Sequence, residues 1–181
     1  DRIVDAAWRT GDPGLVFIDR VNRSPANPVP ELETIEATNP CGEQPLAPND
    51  ACNLGSINLD KFARLDDPAA PIAWDELERV VRLSVRFLDD VIQVNPYPLP
   101  EIMDEVHANR RIGLGVMGWA DLLIQLGIPY DSEAALELGD KVMEFITTIG
   151  RDESARLAEE RGPFPNWARS IYRDSRPLRN S

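Results

Sequence analysis

The sequence predicts an α/β fold that is mostly helical and contains few strands. Apolar residues recur every three or four positions from Leu77 to Ile92, which is the spacing of one buried helix face. Ser132, a favourable N-cap, and Gly162, a helix-stopping residue, indicate the limits of another long helix. In the second half of the segment 52–59 polar and apolar side chains alternate instead, as in a strand with one buried face.

The first half of the chain is predicted to combine one helix with irregular segments. The apolar residues between positions 3 and 8 have nearly helical spacing, and Gly11 stands where a helix would end. The apolar stretch 15–18 fits either a short strand or the start of a helix. Three prolines fall within residues 22–30 and three more within 39–50, so both segments are predicted to be loops.

The second half is predicted to be helical over about residues 74–162. Its first helix must end before Asn95, because the prolines that follow cannot continue a helix. A shorter helix is expected at 100–109. Three glycines within 112–118 indicate close backbone packing, ahead of a further helix that reaches Ile124.

The composition narrows the classes of function. The chain has 181 residues, 43% of them hydrophobic, and a formal net charge of −12. Such an excess of acid argues against a general nucleic-acid-binding surface, which needs a basic footprint. No apolar run approaches the roughly 18 residues that cross a membrane, and residues 1–5 lack the apolar core of a signal peptide. We therefore expect a cytoplasmic protein that does not bind membranes.

Cys41 and Cys52 are the candidate reactive side chains. Cytoplasmic features argue against a structural disulfide between them. A zinc site is not predicted either, because His107 is the only histidine and no four closely spaced ligands exist. The two thiols are therefore either inert or involved in chemistry.

The run Asn39-Pro40-Cys41-Gly42-Glu43 is the most informative segment. Pro40 disfavours helical backbone at Asn39, and in extended backbone residues two apart point to the same side. We therefore expect Asn39, Cys41 and Glu43 to present an amide, a thiol and a carboxylate on one face. Gly42 would leave room for a substrate or another backbone to approach the thiol.

Two chemistries are compatible with this trio. Nucleophilic catalysis requires a base that generates the thiolate, whereas an ionised Glu43 would disfavour it, and His107 is the only imidazole. Hydrogen-atom transfer uses the neutral S–H group and is not penalised by a carboxylate. The residues thus argue against a cysteine protease and leave hydrogen-atom transfer open. A loop cysteine without a catalytic role is the alternative to both chemistries.

Four blocks of the sequence resemble class II ribonucleotide reductases, the adenosylcobalamin-dependent kind. They are residues 8–19 (WRTGDPGLVFID), 38–46 (TNPCGEQPL), 51–59 (ACNLGSINL) and 111–132 (RIGLGVMGWADLLIQLGIPYDS). The offset of eleven positions between Cys41 and Cys52 is similar to that of the family. This short offset, together with Pro40 and Gly42, favours class II over the iron-dependent class I.

The resemblance implies a role for each residue of the trio. Cys41 would become the transient thiyl radical that removes the 3′ hydrogen of the ribose. Glu43 would act as base on the 3′ hydroxyl, Asn39 would hydrogen-bond the ribose hydroxyls, and the backbone of 39–43 would line the substrate. Cys52 would be one of two thiols that supply electrons and end as a disulfide, its partner lying upstream of this chain.

The resemblance also implies a fold, a cofactor and partners. Residues 1–181 would form part of a ten-stranded α/β barrel, the catalytic domain, with the finger loop at about 38–50. The complete enzyme would reduce ribonucleotides to 2′-deoxyribonucleotides using adenosylcobalamin, for which no ligand is identifiable here. A dithiol reductant such as thioredoxin would restore the thiols, and a homodimer is expected.

Two other classes of function stay open. Amphipathic helices at 75–95 and 132–160 would also suit a non-catalytic interaction module, although core packing explains them equally well. A simple thiol-redox protein would form a disulfide between Cys41 and Cys52. Because the chain starts without Met and within a helical pattern, we expect it to be an internal segment that is inactive and self-associating when isolated.

Overall fold

The computed structural model describes residues 1–67 and 69–181, which divide into two units, Asp1–Pro48 and Asn49–Ser181. In the first unit, helix α1 spans Arg2–Thr10 and α2 spans Ile18–Asn22. Strand β1, Ala37–Thr38, pairs antiparallel with β2, Pro45–Leu46, to form a hairpin. The helical start of the chain is confirmed, and the stretch 15–18 leads into a helix rather than a strand.

The segment that leads into the hairpin is held by asparagine side chains. The Asn22 amide donates to the Ile35 carbonyl at 2.8 Å, and the Ile35 N–H donates to the Asn22 side-chain oxygen at 2.8 Å. Asn27 donates to Asn22 as well, at 3.1 Å. Val29 and Ile35 are fully buried beneath this network. The loop predicted from its prolines is therefore ordered by polar side chains around a small apolar cluster.

The second unit is built around a parallel strand pair with helices between the strands. Strand β3, Asn53–Asn58, pairs in parallel with β4, Ile112–Met117, and Asn53 lies opposite Ile112. Helix α3, Trp74–Val94, and helix α4, Pro100–Asn109, form the connection between them. This is the crossover arrangement of α/β proteins.

Two further helices follow the second strand. Helix α5 spans Trp119–Leu126 and α6 spans Glu133–Arg161, with 3₁₀ turns at Leu59–Phe62 and Trp167–Arg169. The Ser132 hydroxyl accepts the Ala135 N–H at 3.2 Å, which confirms the predicted N-cap. The predicted limits of α3, α4 and α6 are confirmed to within a few residues.

The apolar stripe of α3 lies in the core of the second unit. Leu77, Val81 and Ile92 on this helix are fully buried, and Gly150 allows α6 to approach Val81 and Val85 closely. The core also contains residues from β3, the first 3₁₀ turn, α5 and α6, namely Ile57, Leu59, Phe62, Leu122, Val142 and Ile146.

The glycine-rich segment 112–118 forms a strand, which the sequence did not predict. The expected close packing is confirmed at Gly118, where a Cβ atom would overlap the Asn58 side-chain oxygen; a Cβ atom on Gly115 would meet only an ordinary contact with the Gly55 carbonyl. Within residues 1–67 and 69–181 the strands form two-stranded sheets and no closed barrel. In the same ranges no helix is long and apolar enough to cross a membrane.

Candidate active site

A tight turn at the tip of the hairpin carries Cys41. Residues 39–44, here named the Cys41 loop, connect β1 to β2. The Gly42 N–H donates to the Asn39 carbonyl at 3.0 Å, which closes a β-turn with Pro40 and Cys41 at its centre. Gly42 has a φ of 83°, a conformation that residues with a side chain rarely adopt.

Asn39 fixes the Cys41 loop from both its backbone and its side chain. Its N–H donates to the Gln44 carbonyl at 3.1 Å, and its side-chain oxygen accepts the Gln44 N–H at 3.0 Å. Asn39 is half-buried, whereas Cys41 and Glu43 are exposed. The loop therefore presents the thiol and the carboxylate to solvent on a closed hairpin tip.

The predicted extended run at 39–43 is wrong, because the structure forms a turn there. Proline suits the second position of a β-turn as well as an extended segment, and Gly42 accepts the left-handed conformation that follows. The alternation argument for a common face therefore does not apply. The trio is instead held within one six-residue loop closed by Asn39.

Cys52 belongs to the second unit and immediately precedes β3. Its thiol is half-buried and donates to the Asn53 carbonyl at 3.5 Å. Burial, the largest effect, raises the pKa of Cys52 to about 12; the charge of Arg111 lowers the pKa and that of Asp50 raises it. Neither cysteine is in a disulfide in the described part of the chain. Cys52 is therefore held as a neutral thiol.

A buried ion pair lies beside Cys52. The Arg111 Nε atom is 2.6 Å from Asp50 Oδ2, and the two side chains are 5% and 0% exposed. The second Asp50 oxygen accepts the Ala51 N–H at 2.8 Å. The segment that carries Cys52 is thereby tied to the start of β4.

A second buried cluster, centred on Asp89, was missed by the sequence analysis. Asp89 is fully buried and accepts hydrogen bonds from Arg110, Arg161, Arg179 and Asn180. A signal for it exists, because Asp89 falls four residues after Val85 on the apolar stripe of α3. A carboxylate on a buried face needs a counter-charge. The basic residues that supply it are far away in sequence.

The acidic, cysteine and histidine side chains of the described residues do not converge on a metal site. Within the described ranges, no group of three or more His, Cys, Asp or Glu residues could hold a metal ion. The Nε2 atom of His107 lies 3.3 Å from the Ile92 carbonyl oxygen, and its ring meets the Tyr97 ring edge-on at 5.7 Å. The His107 ring is thus engaged by neighbouring groups of the second unit, and no cobalamin ligand is identified among the described residues.

The parallel crossover places the second unit in the α/β class. Comparison with known proteins then gives the family: the model of the ribonucleotide reductase barrel domain matches residues 1–178. The chain belongs to this family.

Several relatives match over the whole chain. A vitamin B12-dependent ribonucleoside-diphosphate reductase of Mycobacterium tuberculosis (strain CDC 1551 / Oshkosh) is 54% identical over 181 residues, all of this chain and 25% of the relative. A protein of the same name from Thermoplasma acidophilum is 51% identical over 182 residues, all of this chain and 23% of the relative. The ribonucleoside-diphosphate reductase subunit alpha of Chlamydia pneumoniae is 34% identical over 176 residues, 94% of this chain and 16% of the relative. The chain thus spans about a quarter of the length of the Mycobacterium tuberculosis and Thermoplasma acidophilum relatives.

Proposed function

We propose that the protein containing this chain reduces ribonucleoside diphosphates to 2′-deoxyribonucleotides by radical chemistry with adenosylcobalamin as cofactor. Family membership and the names of the relatives at 51–54% identity support the reaction, the diphosphate substrate and the cofactor. The observation that carries the assignment of residues is the Cys41 loop, an exposed thiol and carboxylate on a turn closed by Asn39.

In the proposed reaction Cys41 acts as a thiyl radical. It removes the 3′ hydrogen atom of the ribose, so that the C3′–H bond breaks and the S–H bond of Cys41 forms. Glu43 accepts the proton of the 3′ hydroxyl while the 2′ hydroxyl leaves as water, and it gives that proton back to the 3′ oxygen when the product forms. The 3′ hydrogen returns at the end, which regenerates the thiyl radical. Asn39 and the backbone of residues 39–43, including Pro40 and Gly42, orient the ribose.

Cys52 supplies electrons together with a second cysteine outside this chain. Two thiols become one disulfide, and their two electrons and two protons balance the loss of the 2′ hydroxyl as water. The raised pKa of Cys52 supports this role, because a neutral thiol carries both the proton and the electrons that the reduction requires. A dithiol such as thioredoxin then reduces the disulfide.

The remaining expectations extend the proposal to the whole protein. We propose that residues 1–181 form part of a single catalytic domain, a ten-stranded α/β barrel of which β3 and β4 would be neighbouring strands. The open edges of this strand pair are consistent with further strands in the complete domain. A homodimer in the cytoplasm completes the proposal.

The first experiment uses the complete reading frame that encodes this chain. Purified protein is assayed for deoxynucleotide formation from a ribonucleoside diphosphate and a dithiol, with and without adenosylcobalamin. We expect activity that requires the cofactor and is lost in Cys41→Ser. Activity that instead requires an iron-containing partner subunit would contradict the assignment to class II. Folded protein without activity under both conditions would contradict the proposed function.

A matched variant separates the roles of the two cysteines. A substrate labelled with tritium at C3′ reports hydrogen abstraction independently of reduction. In Cys52→Ser the reaction should stall with the label on the Cys41 thiol, from which it exchanges into water, and no deoxynucleotide should form; Cys41→Ser should release no label. Equal loss of both signals in the two variants would contradict the division of roles.

A further inference from the structure

Cys52 and Arg111 occupy equivalent positions at the start of neighbouring strands. Asn53 lies opposite Ile112 in the parallel register, so the residues immediately before them, Cys52 and Arg111, begin the two strands side by side. Asp50, two residues before Cys52, completes the group through its 2.6 Å contact with Arg111. Sequence positions that are far apart are thus brought together at one end of the strand pair.

The ion pair is buried, although burial of two charges is costly. The side chains of Asp50 and Arg111 are 0% and 5% exposed. Replacing such a pair with apolar residues is often neutral or stabilising, so stability alone does not account for it. A guanidinium fixed beside a thiol can instead serve the chemistry of that thiol.

Asp50 and Arg111 are also the charges that act on the thiol, in opposite directions. Arg111 favours the thiolate of Cys52 and Asp50 disfavours it, while burial keeps the thiol protonated at rest. Arg111 therefore lowers the free energy of a negative charge on Cys52 while Asp50 holds its guanidinium in place.

We propose that Arg111, held by Asp50, is a positioning residue that stabilises the Cys52 thiolate released when the disulfide is reduced. This inference rests on the proposed function, in which Cys52 cycles between thiol and disulfide. A thiolate of the dithiol reductant attacks the partner sulfur, the S–S bond breaks, and Cys52 leaves with the electron pair and takes up a proton. The second reductant thiolate then attacks the reductant sulfur of the mixed disulfide, and the partner cysteine leaves as a thiolate and is protonated.

The test measures alkylation of Cys52 by iodoacetamide in the complete protein, reduced beforehand, between pH 8 and about pH 10. Peptide mass spectrometry separates Cys52 from Cys41, which serves as internal control. Arg111→Gln should slow Cys52 alkylation roughly threefold to tenfold, and Asp50→Asn should accelerate it by a similar factor, because one pKa unit corresponds to about tenfold in thiolate. Alkylation of Cys41 should be unchanged in both variants.

The opposite signs distinguish stabilisation of the thiolate from a purely structural role. If the ion pair only held the segment in place, both substitutions would loosen it and accelerate alkylation. Acceleration in both variants, or no change in either, would therefore overturn the proposal. If a single variant does not fold, Arg111→Lys is compared with the double variant Asp50→Asn/Arg111→Gln. Both should keep the wild-type rate within about twofold, because lysine retains the positive charge and the opposite effects of the two substitutions cancel in the double variant; acceleration in the double variant, as expected if the pair only held the segment in place, would overturn the proposal.

Turnover supplies a second readout and separates this inference from the proposed function. In pre-reduced protein, a single round of deoxynucleotide formation should be unchanged in Arg111→Gln, whereas multiple turnover with a dithiol should slow by the same factor as alkylation. A wild-type protein that forms no deoxynucleotide would refute the proposed function, yet the alkylation rates would still decide the role of Arg111. An equal slowing of single and multiple turnover would refute the inference alone.

Discussion

Asp89 joins several parts of the second unit through one buried carboxylate. Its Oδ1 atom lies 2.7 Å from an Arg110 terminal nitrogen, and its Oδ2 atom lies 2.9 Å from Arg161. Arg179 and Asn180 reach the same carboxylate at 3.3 and 3.0 Å. The carboxylate thus holds the turn before β4, the end of α6 and the segment 179–180.

Asp89→Asn removes the charge with little change in shape. The Arg110 side chain is 4% exposed and would remain buried without its neutralising carboxylate. Removing one partner of a buried ion pair costs about 3–5 kcal/mol, because the other charge stays desolvated. The loss should be local to the segments that meet at Asp89.

Amide hydrogen exchange measures this loss at two identified groups. The Arg179 N–H donates to the Ser154 carbonyl at 3.0 Å, and the Asn180 N–H donates to the Ser154 hydroxyl at 3.0 Å. A loss of about 3 kcal/mol should accelerate their exchange by roughly 100-fold, at 1.4 kcal/mol per factor of ten. An increase no larger than that of a surface control would refute the reasoning.

Asp90→Asn is that control, because it changes the adjacent residue by the same atoms. Asp90 is 50% exposed and pairs with Arg161 at 2.5 Å. Exposed ion pairs contribute about 0–1 kcal/mol, so exchange should accelerate by roughly fivefold at most.

The pH dependence of the Asp89 contribution follows from the direction of its pKa. Burial, the largest single effect, raises the pKa of Asp89, but the hydrogen bonds and charges of Arg110, Arg179 and Asn180 together outweigh it, and the pKa lies below its ordinary value. A depressed pKa means that the stabilisation is complete above the unfolded value of about 4 and is lost as the pH falls through the folded value. The difference between wild type and Asp89→Asn should therefore persist at pH 5 and disappear only under strongly acidic conditions.

Four further predictions follow from the site and the fold. Glu43→Gln should retain substrate binding and slow turnover steeply, by about 100-fold or more, because the base is removed; unchanged turnover would exclude Glu43 from the reaction. Asn39→Asp keeps the acceptor for the Gln44 N–H but loses the side-chain donor, so hydrogen exchange at the Gln44 amide should stay slow while turnover falls. Asn39→Ala removes both groups, so this exchange should become faster and turnover should fall. Gly118→Ala should lower the free energy of unfolding of the second unit in urea by about 1–3 kcal/mol, because its Cβ atom would overlap Asn58 Oδ1 at a φ of 68°. Gly127→Ala is the control: it has a similar φ of 67° but open space around the Cβ position, so its loss of stability should be smaller. The isolated 181-residue chain should be inactive and associate, since Leu54, Leu83 and Phe87 are exposed beside the open edge of β3; a monodisperse, cooperatively unfolding monomer in analytical ultracentrifugation would contradict this.

The helices could be predicted because their signals are local. The apolar stripe of α3, the cap at Ser132 and the proline that begins α4 each lie within the element that they define. Strand β4 could not be predicted in this way, because glycines stand at the alternate positions where a half-buried strand would carry polar side chains. Its identity depends on β3, a partner more than fifty residues earlier in the chain.

The residues of the candidate site also differ in whether their signal is local in the sequence. Asn39, Cys41 and Glu43 were recognised because they are adjacent in sequence and resemble a family motif. The Asp50–Arg111 and Asp89–Arg110 pairs join residues that are distant in sequence, and nothing near Arg111 indicates that it is buried. Of these residues, only Asp89 could have been singled out from the sequence, because it is a carboxylate within the apolar stripe of α3.

The turn at the Cys41 loop changes the role that Asn39 can take toward a ribose. Had the run been extended, both the oxygen and the nitrogen of its side chain would have been available. In the turn, the oxygen already accepts the Gln44 N–H, so the side chain offers a substrate its N–H donors. Asn39 would then donate to a hydroxyl oxygen, while Glu43, an acceptor when ionised, would take the hydroxyl proton. The closed loop thus divides donor and acceptor between two residues on either side of the thiol, an arrangement suited to a vicinal diol.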